Sequence, residues 1–331
     1  MVEGGTGTAI EPVVAGISGF EGRRVLMSGG AGFLGSWMSE ALVRLGADVT
    51  VVDDMSTGRM KNLEGVIGRK GFSLIKDDAG SVDASGYDIF IHAASIPSPD
   101  DYMRRPVRTA LSNIGGLQNF LRQEFHRLLY LSTSEVYGDP QIIPTPEGYW
   151  GNVNPVGLRS CYDESKRFGE ALCMAYRRER GANIGIARVH NTYGPRMDPQ
   201  GRYARAIPRF IRQALTGQPI TIYGDGLQTR SFTYVTDMIR GLLLLLGSNE
   251  TGPVNLGAER ETTVRELAKM IIGLSGSNSG ISYLPPEPDD PRRRRPDITL
   301  ARKALSWEPR VGLEEGLKLT IDWFRGELKD E

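Results

Sequence analysis

Cysteine and histidine are both scarce in this chain: two cysteines, Cys161 and Cys173, and three histidines, His92, His126 and His190, in 331 residues. Two thiols cannot build a disulfide framework, so a reducing compartment is the simpler setting. Cys161 stands beside Tyr162 but reads as a small packing residue rather than a redox thiol. The histidines show no metal-ligand spacing, which argues against a metal site. Net charge is also missing, because 40 basic and 40 acidic residues cancel. That balance argues against a nucleic-acid partner and a polybasic membrane anchor. Long apolar runs are absent too. The longest, residues 242–246, is far short of the roughly 20 residues a membrane span needs and reads as the buried side of a helix. The first 22 residues lack the basic start and apolar core of a signal peptide. A soluble cytoplasmic protein is expected.

What the chain does have is alternation. Residues 24–28 read as a buried strand, followed by a glycine-rich turn and a helical pattern through Leu45. Short aliphatic or β-branched runs recur at 48–53, 72–75, 88–92, 128–131 and 184–189, with helical stretches at about 106–123 and 162–180. This pattern predicts a parallel sheet covered on both faces. After Asn191 the texture shortens around Pro195, Pro199, Gly201 and Pro208. A short strand is expected at 231–235, and another at 254–257 that returns to the first sheet. Two tail helices are expected at 264–274 and 313–328, around a loop at 285–296. The predicted fold class is α/β: a Rossmann-type doubly wound parallel sheet with a smaller, discontinuous α/β substrate domain. The expected divisions are a loose arm at 1–22, a dinucleotide-binding domain at 23–190 plus 230–257, and a substrate domain at 191–229 plus 258–331.

The densest chemistry lies in residues 132–166. This segment opens with Ser132-Thr133-Ser134-Glu135-Val136-Tyr137-Gly138 and ends with Tyr162-Asp163-Glu164-Ser165-Lys166. On a helix, Tyr162 and Lys166 share a face. A free tyrosine, with a pKa of about 10, is a poor base at neutral pH. A fixed ammonium and the positive ring of an oxidised nicotinamide both favour its phenolate. Tyr162 is therefore a candidate base for a sugar hydroxyl whose carbon gives up a hydride. Thr133 would share the hydrogen bond, and Glu135 would supply a second acid or base. Spacing alone proves little, since roughly 0.3 such pairs arise by chance at this composition.

Gly29, Gly32 and Gly35 follow one strand and open a helix, which lets the backbone approach a pyrophosphate at the helix N-terminus. Asp53 ends the next strand, 18 residues after Gly35, where a carboxylate binds the adenosine ribose hydroxyls. Its charge would repel a ribose phosphate, so NAD is expected over NADP; the nearby cation Arg59 argues the other way. Asp78 could accept from the adenine amine or cap a turn. Ala93 and Ser95 end the fourth strand, beneath the ribose. The run Arg292-Arg293-Arg294-Arg295 reads either as a solvated loop or as the source of an arginine clamp on a diphosphate, with Arg230 a second clamp.

Together these motifs resemble the extended short-chain dehydrogenase/reductase family of nucleotide-sugar enzymes, over about residues 22–328. Several segments resemble its UDP-glucuronate-decarboxylating branch: Tyr149-Trp150-Gly151-Asn152, Arg159-Ser160-Cys161-Tyr162-Asp163-Glu164, Asn191-Thr192-Tyr193-Gly194-Pro195-Arg196, and Arg294-Arg295-Pro296-Asp297. The resemblance implies tightly held NAD, contacted also by Phe33, Leu34, Asp54, Thr57, Gly58, Tyr162, Lys166 and Thr192. It implies a UDP-sugar substrate held by Ser134, Asn191, Arg202, Arg230 and Arg294, and a homodimer paired through the helices near 106–123 and 160–180. In the implied reaction Tyr162, with Lys166 and Thr133, takes the C4 hydroxyl proton. The resulting β-keto acid loses its carboxylate, and Glu135 assists reprotonation at C5. Ser134 stands where 4,6-dehydratases carry Asp, which disfavours dehydration. His190, Asp198 and Arg202-Tyr203-Ala204-Arg205 depart from the decarboxylases beside the sugar. That departure leaves a UDP-glucuronate 4-epimerase, which keeps the carboxylate, as the alternative. A catalytically silent nucleotide-sugar sensor is a third class, opposed by the intact Thr133, Tyr162 and Lys166.

Overall fold

Aliphatic strands buried on both sides set the centre of the molecule. A computed structural model describes residues 7–198, 205–287 and 290–329. The first half alternates helix and strand: α1 (Gly7–Val14), β1 (Arg24–Ser28), α2 (Phe33–Arg44), β2 (Asp48–Val52), β3 (Phe72–Ile75), β4 (Ile89–His92), α3 (Pro99–Arg104), α4 (Pro106–Leu121), β5 (Arg127–Thr133), α5 (Ser160–Arg180) and β6 (Ile184–Val189). Shorter pieces follow: β7 (Thr192–Tyr193), α6 (Ala206–Leu215), β8 (Ile220–Tyr223), β9 (Thr229–Ser231), β10 (Thr233–Tyr234), α7 (Val235–Gly247), β11 (Pro253–Leu256) and β12 (Glu261–Thr263). The chain then closes with α8 (Val264–Ser275), β13 (Ile281–Leu284), β14 (Arg293–Arg294), α9 (Thr299–Leu305) and α10 (Leu313–Glu327).

Among the described residues, seven parallel strands form the main sheet in the order β11-β6-β5-β4-β1-β2-β3. This is the Rossmann-type sheet expected from the sequence. Successive side chains point to opposite faces: Val25 and Met27 pack with Trp37, Leu42 and Leu242, while Leu26 packs with Leu117, Phe120 and Cys173. Strand order reverses between β1 and β4, and the crevice at that switch point is where such sheets bind ligands. Outside the main sheet, β12-β9-β14 form a second sheet, and β10-β7 and β13-β8 pair separately. The strand expected at 231–235 is thus two short strands, β9 and β10. In the second sheet β14 runs parallel to β9 and sets Arg294 beside Arg230.

The loose arm expected at 1–22 is docked in its described part. Ile10 and Val13, three positions apart on α1, are buried with Phe20 in the core that also holds α2 and α7 residues. Arg240 Nη1 donates to the carbonyls of Val13 (3.2 Å) and Ala15 (2.8 Å), and Glu11 pairs with Arg44. Glycine-rich composition hid an amphipathic turn. Among the described residues, no helix is long and apolar enough to cross a membrane.

Candidate active site

A cavity of about 420 Å³ opens where β1, β4 and β5 end. Its floor at one end is the glycine turn. Gly29 has φ +74°, and a Cβ there would stand 2.6 Å from Ala94 N; a Cβ on Gly35 would stand 2.1 Å from Gly29 O. Only glycine lets this loop fold so tightly before α2. Asp53 Oδ2 accepts from Ala31 N and Oδ1 from Met55 N, each at 2.9 Å. Both oxygens keep a lone pair for a ribose hydroxyl. Burial, more than the neighbouring charge of Asp54, raises the Asp53 carboxyl above its ordinary range. Phe33, Leu34, Asp54, Thr57, Asp78, Ala93, Ser95 and Thr192 all line the cavity with Gly29, Gly32 and Asp53. Gly58 instead packs behind Asp53, where its own Cβ would lie 2.7 Å from Oδ1. Asp78 Oδ1 accepts from Gly80 N at 2.7 Å, so it caps a turn while facing the cavity. Ser95 Oγ is buried without a hydrogen-bond partner. A tight glycine cradle, a ribose-ready carboxylate and an unspent hydroxyl fit a dinucleotide.

Deeper in, α5 carries Tyr162 and Lys166 one turn apart, both buried. Thr133 lines the cavity with Tyr162, and its Oγ1 accepts from Glu135 N at 3.2 Å. Burial first, then Glu135, push the phenol up to about 12, against the pull of Thr133 and Arg205. Lys166 Nζ donates to Leu131 O at 2.9 Å and sits 5.2 Å from the Tyr130 ring centre. Burial lowers its ammonium to about 7, with Glu170 opposing. The lysine expected to favour the phenolate is therefore a weaker cation than its spacing implied. An oxidised nicotinamide beside the phenol would supply the remaining positive charge. Tyr102 of α3 stacks on Tyr162 with ring centres 5.2 Å apart and planes 11° from parallel.

Glu135 faces this pair from the turn after β5. Both Nη atoms of Arg294 donate to it, Nη2 at 2.9 Å, and Arg159 Nη2 donates at 2.7 Å. Burial alone would raise its carboxyl, but the two guanidiniums outweigh burial and hold it down at about 2. In this arrangement Glu135 is an ionised acceptor; donating a proton would need those pairs to loosen. Asp163, buried beside the same charges, goes the other way: burial, then Glu135, lift it to about 7.

The outer end collects the expected substrate residues. Arg230 Nη2 donates to Asp290 Oδ1 at 2.7 Å, and Arg159 Nη1 lies 3.9 Å from the same oxygen. Asn191 Nδ2 donates to Ser231 O at 3.4 Å. Ser134 and Arg294 are buried against the cavity. Arg202 lies outside the described residues. Sequence reasoning passed over Arg159, Tyr102 and Asp290. Arg159 precedes Tyr162 by three positions, a helical spacing that could have flagged it. Tyr102 lies in a short helix that no periodicity announced. Among the described residues, no cluster of three or more His, Cys, Asp or Glu could hold a metal ion.

Comparisons agree with this geometry. Residues 25–257 match the NAD dependent epimerase/dehydratase family. UDP-glucuronic acid decarboxylase 1 of Xenopus tropicalis is 46% identical over 323 residues, which cover 97% of this chain and 76% of that protein. The UDP-glucose 4-epimerase of Thermotoga maritima, solved with UDP-glucose, superposes with a TM-score of 0.84 at 31% identity, covering 92% of this chain and 99% of that one. The UDP-glucuronic acid 4-epimerase of Bacillus cereus, solved with UDP-glucuronic acid and NAD, gives 0.83 at 27% identity, covering 92% and 99%.

Proposed function

This chain belongs to the NAD dependent epimerase/dehydratase family, and within it we propose that it decarboxylates UDP-glucuronate to UDP-xylose. NAD is its cofactor; the cradle of Gly29, Gly32 and Gly35, with Asp53 and Ser95, would hold it, and when bound it would supply the reversible hydride acceptance needed at C4. Tyr162 takes the C4 hydroxyl proton, with Thr133 sharing its hydrogen bond and Lys166 one turn away. The C4 ketone makes the sugar a β-keto acid. Its carboxylate carbon leaves as carbon dioxide, and the electrons of the broken bond pass into an enolate. Protonation at C5 and reduction at C4 then give the pentose. Glu135, with Arg294 and Arg159, forms the charged wall for these later steps.

The observation that carries the decarboxylase over the epimerase is the likeness to decarboxylases across nearly the whole chain, joined to the Glu135–Arg294–Arg159 cluster beside Tyr162. UDP-glucuronate labelled with carbon-13 in its carboxylate tests it: label should appear as carbon dioxide and bicarbonate, and label that stays on the sugar contradicts it.

We propose a dinucleotide domain (23–190 plus 230–257) and a nucleotide-sugar domain (191–229 plus 258–331); the sheet β12-β9-β14, separate from the main one, supports a second unit but draws Arg230 and Ser231 of β9 into it. Val107, Leu111 and Phe168 on α4 and α5 are 71%, 68% and 54% exposed. Burying them against a second copy is the support for a homodimer, and Leu111→Glu should yield a monomer in light scattering. Two free cysteines support a reducing, cytoplasmic setting.

A further inference from the structure

Arg59 is the cation that argued for NADP, and the structure shows what holds it. Its amide donates to Ala31 O at 3.0 Å, and Ala31 N donates to Asp53 Oδ2 at 2.9 Å. The preceding Gly58 lies directly behind the Asp53 carboxylate. Arg59 is thereby fixed at the rim of the ribose pocket and lines the same cavity. A guanidinium in that position is what a ribose 2′-phosphate would seek.

Here its charge is already matched. Arg59 Nη2 pairs with Glu327 Oε2 at 3.2 Å, and Lys61 Nζ pairs with Glu327 Oε1 at 3.0 Å. Glu327 is the last residue of α10, and its side chain is only 9% exposed. One carboxylate from the far end of the chain thus spans two cations of the cofactor loop. Arg108 of α4, also lining the cavity, is occupied by Asp54 at 2.9 Å. Arg59 Nη1 is buried without a hydrogen-bond partner, so one donor remains. A phosphate reaching it would meet two carboxylates, Asp53 and Glu327.

We propose that Glu327 is a selectivity residue for the cofactor: by holding Arg59 and Lys61 it completes the discrimination against NADP that Asp53 begins. It acts through Arg59, as a positioning residue. The proposal rests on the dinucleotide site and not on the sugar chemistry.

The test is competition. The purified protein is equilibrated with equal concentrations of NAD and NADP and gel-filtered, and the bound dinucleotides are counted by chromatography. Glu327→Gln should raise the bound NADP-to-NAD ratio on the order of tenfold, and adding Arg59→Ala should return it towards the parent value. Glu327→Asp shortens the reach to both cations, should give a smaller rise, and serves if the Gln variant does not fold. A parent-like ratio in whichever variant folds overturns the proposal, as does a rise undiminished by Arg59→Ala. A parent protein that retains neither dinucleotide overturns it together with the site reading, which separates the two failures.

Discussion

Replacing Glu135 by Gln removes one charge from between two arginines while keeping the side chain's shape. The structure sets the scale. Against burial, the Arg294 and Arg159 guanidiniums hold the Glu135 carboxyl at about 2, well below its ordinary 4.5, so the fold favours its ionised form. Because the folded value is depressed, this stabilisation is complete above pH 4.5 and is lost as pH falls through about 2. At neutral pH Glu135→Gln should destabilise the fold by about 3 kcal/mol, the usual cost of removing one partner from a buried ion pair, since it leaves Arg294 and Arg159 facing each other without an anion. The gap to the parent should narrow in denaturant titrations as pH drops below 4.5. The chemical effect should be uneven. Oxidation at C4 uses Tyr162, Thr133 and Lys166, so NADH should still form on mixing with UDP-glucuronate, at a rate within about tenfold of the parent. Release of carbon dioxide should fall by about a hundredfold, the usual loss for a missing charged participant. Stopped-flow NADH absorbance beside a carbon dioxide assay separates the two steps. Equal slowing of both, or of neither, would refute this assignment.

Other perturbations follow the same reasoning. Tyr162→Phe should abolish NADH formation and carbon dioxide release together, by about a hundredfold or more, in the same pair of assays. Lys166, lowered by burial to about 7, costs the fold stability wherever it must stay charged. In cofactor-free protein Lys166→Met should therefore gain stability below pH 7, by several kcal/mol, on the order of 1.4 for each tenfold by which the affinity for the proton is depressed. That gain should fade as pH rises towards 10.5, because the unfolded chain alone binds the proton in that window; a pH-independent difference contradicts the burial argument. Gly35→Ala would place a Cβ 2.1 Å from Gly29 O. It should strip NAD from the purified protein, read as bound dinucleotide per chain.

Much of this was legible in the chain because the signals are local. The run Arg24–Ser28, the three glycines and Asp53 needed only strand burial and backbone sterics to be placed, and β1, β2 and β3 fall as read. Tyr162 and Lys166 were found by helical spacing read together with the Ser132–Gly138 segment and the glycine turn before α2. What stayed hidden depends on distant parts of the chain. Arg294 reaches Glu135 because β14 pairs with β9, a two-residue strand with no periodicity to detect. Glu327 reaches Arg59 across 268 positions. The ionisation of Glu135, Asp163 and Lys166 follows from burial and neighbours, which spacing does not encode. α1 was obscured because a few apolar residues around Pro12 in a glycine-rich stretch make a weak periodic signal.

The most direct test of the central claim is the identity of the sugar produced. Protein carrying its own NAD, incubated with UDP-glucuronate and followed by proton NMR, should give the pentose signals of UDP-xylose, with a methylene at C5 and one equivalent of carbon dioxide. UDP-galacturonate, with its carboxylate retained, would contradict the decarboxylase and assign the same Tyr162 chemistry to a 4-epimerase.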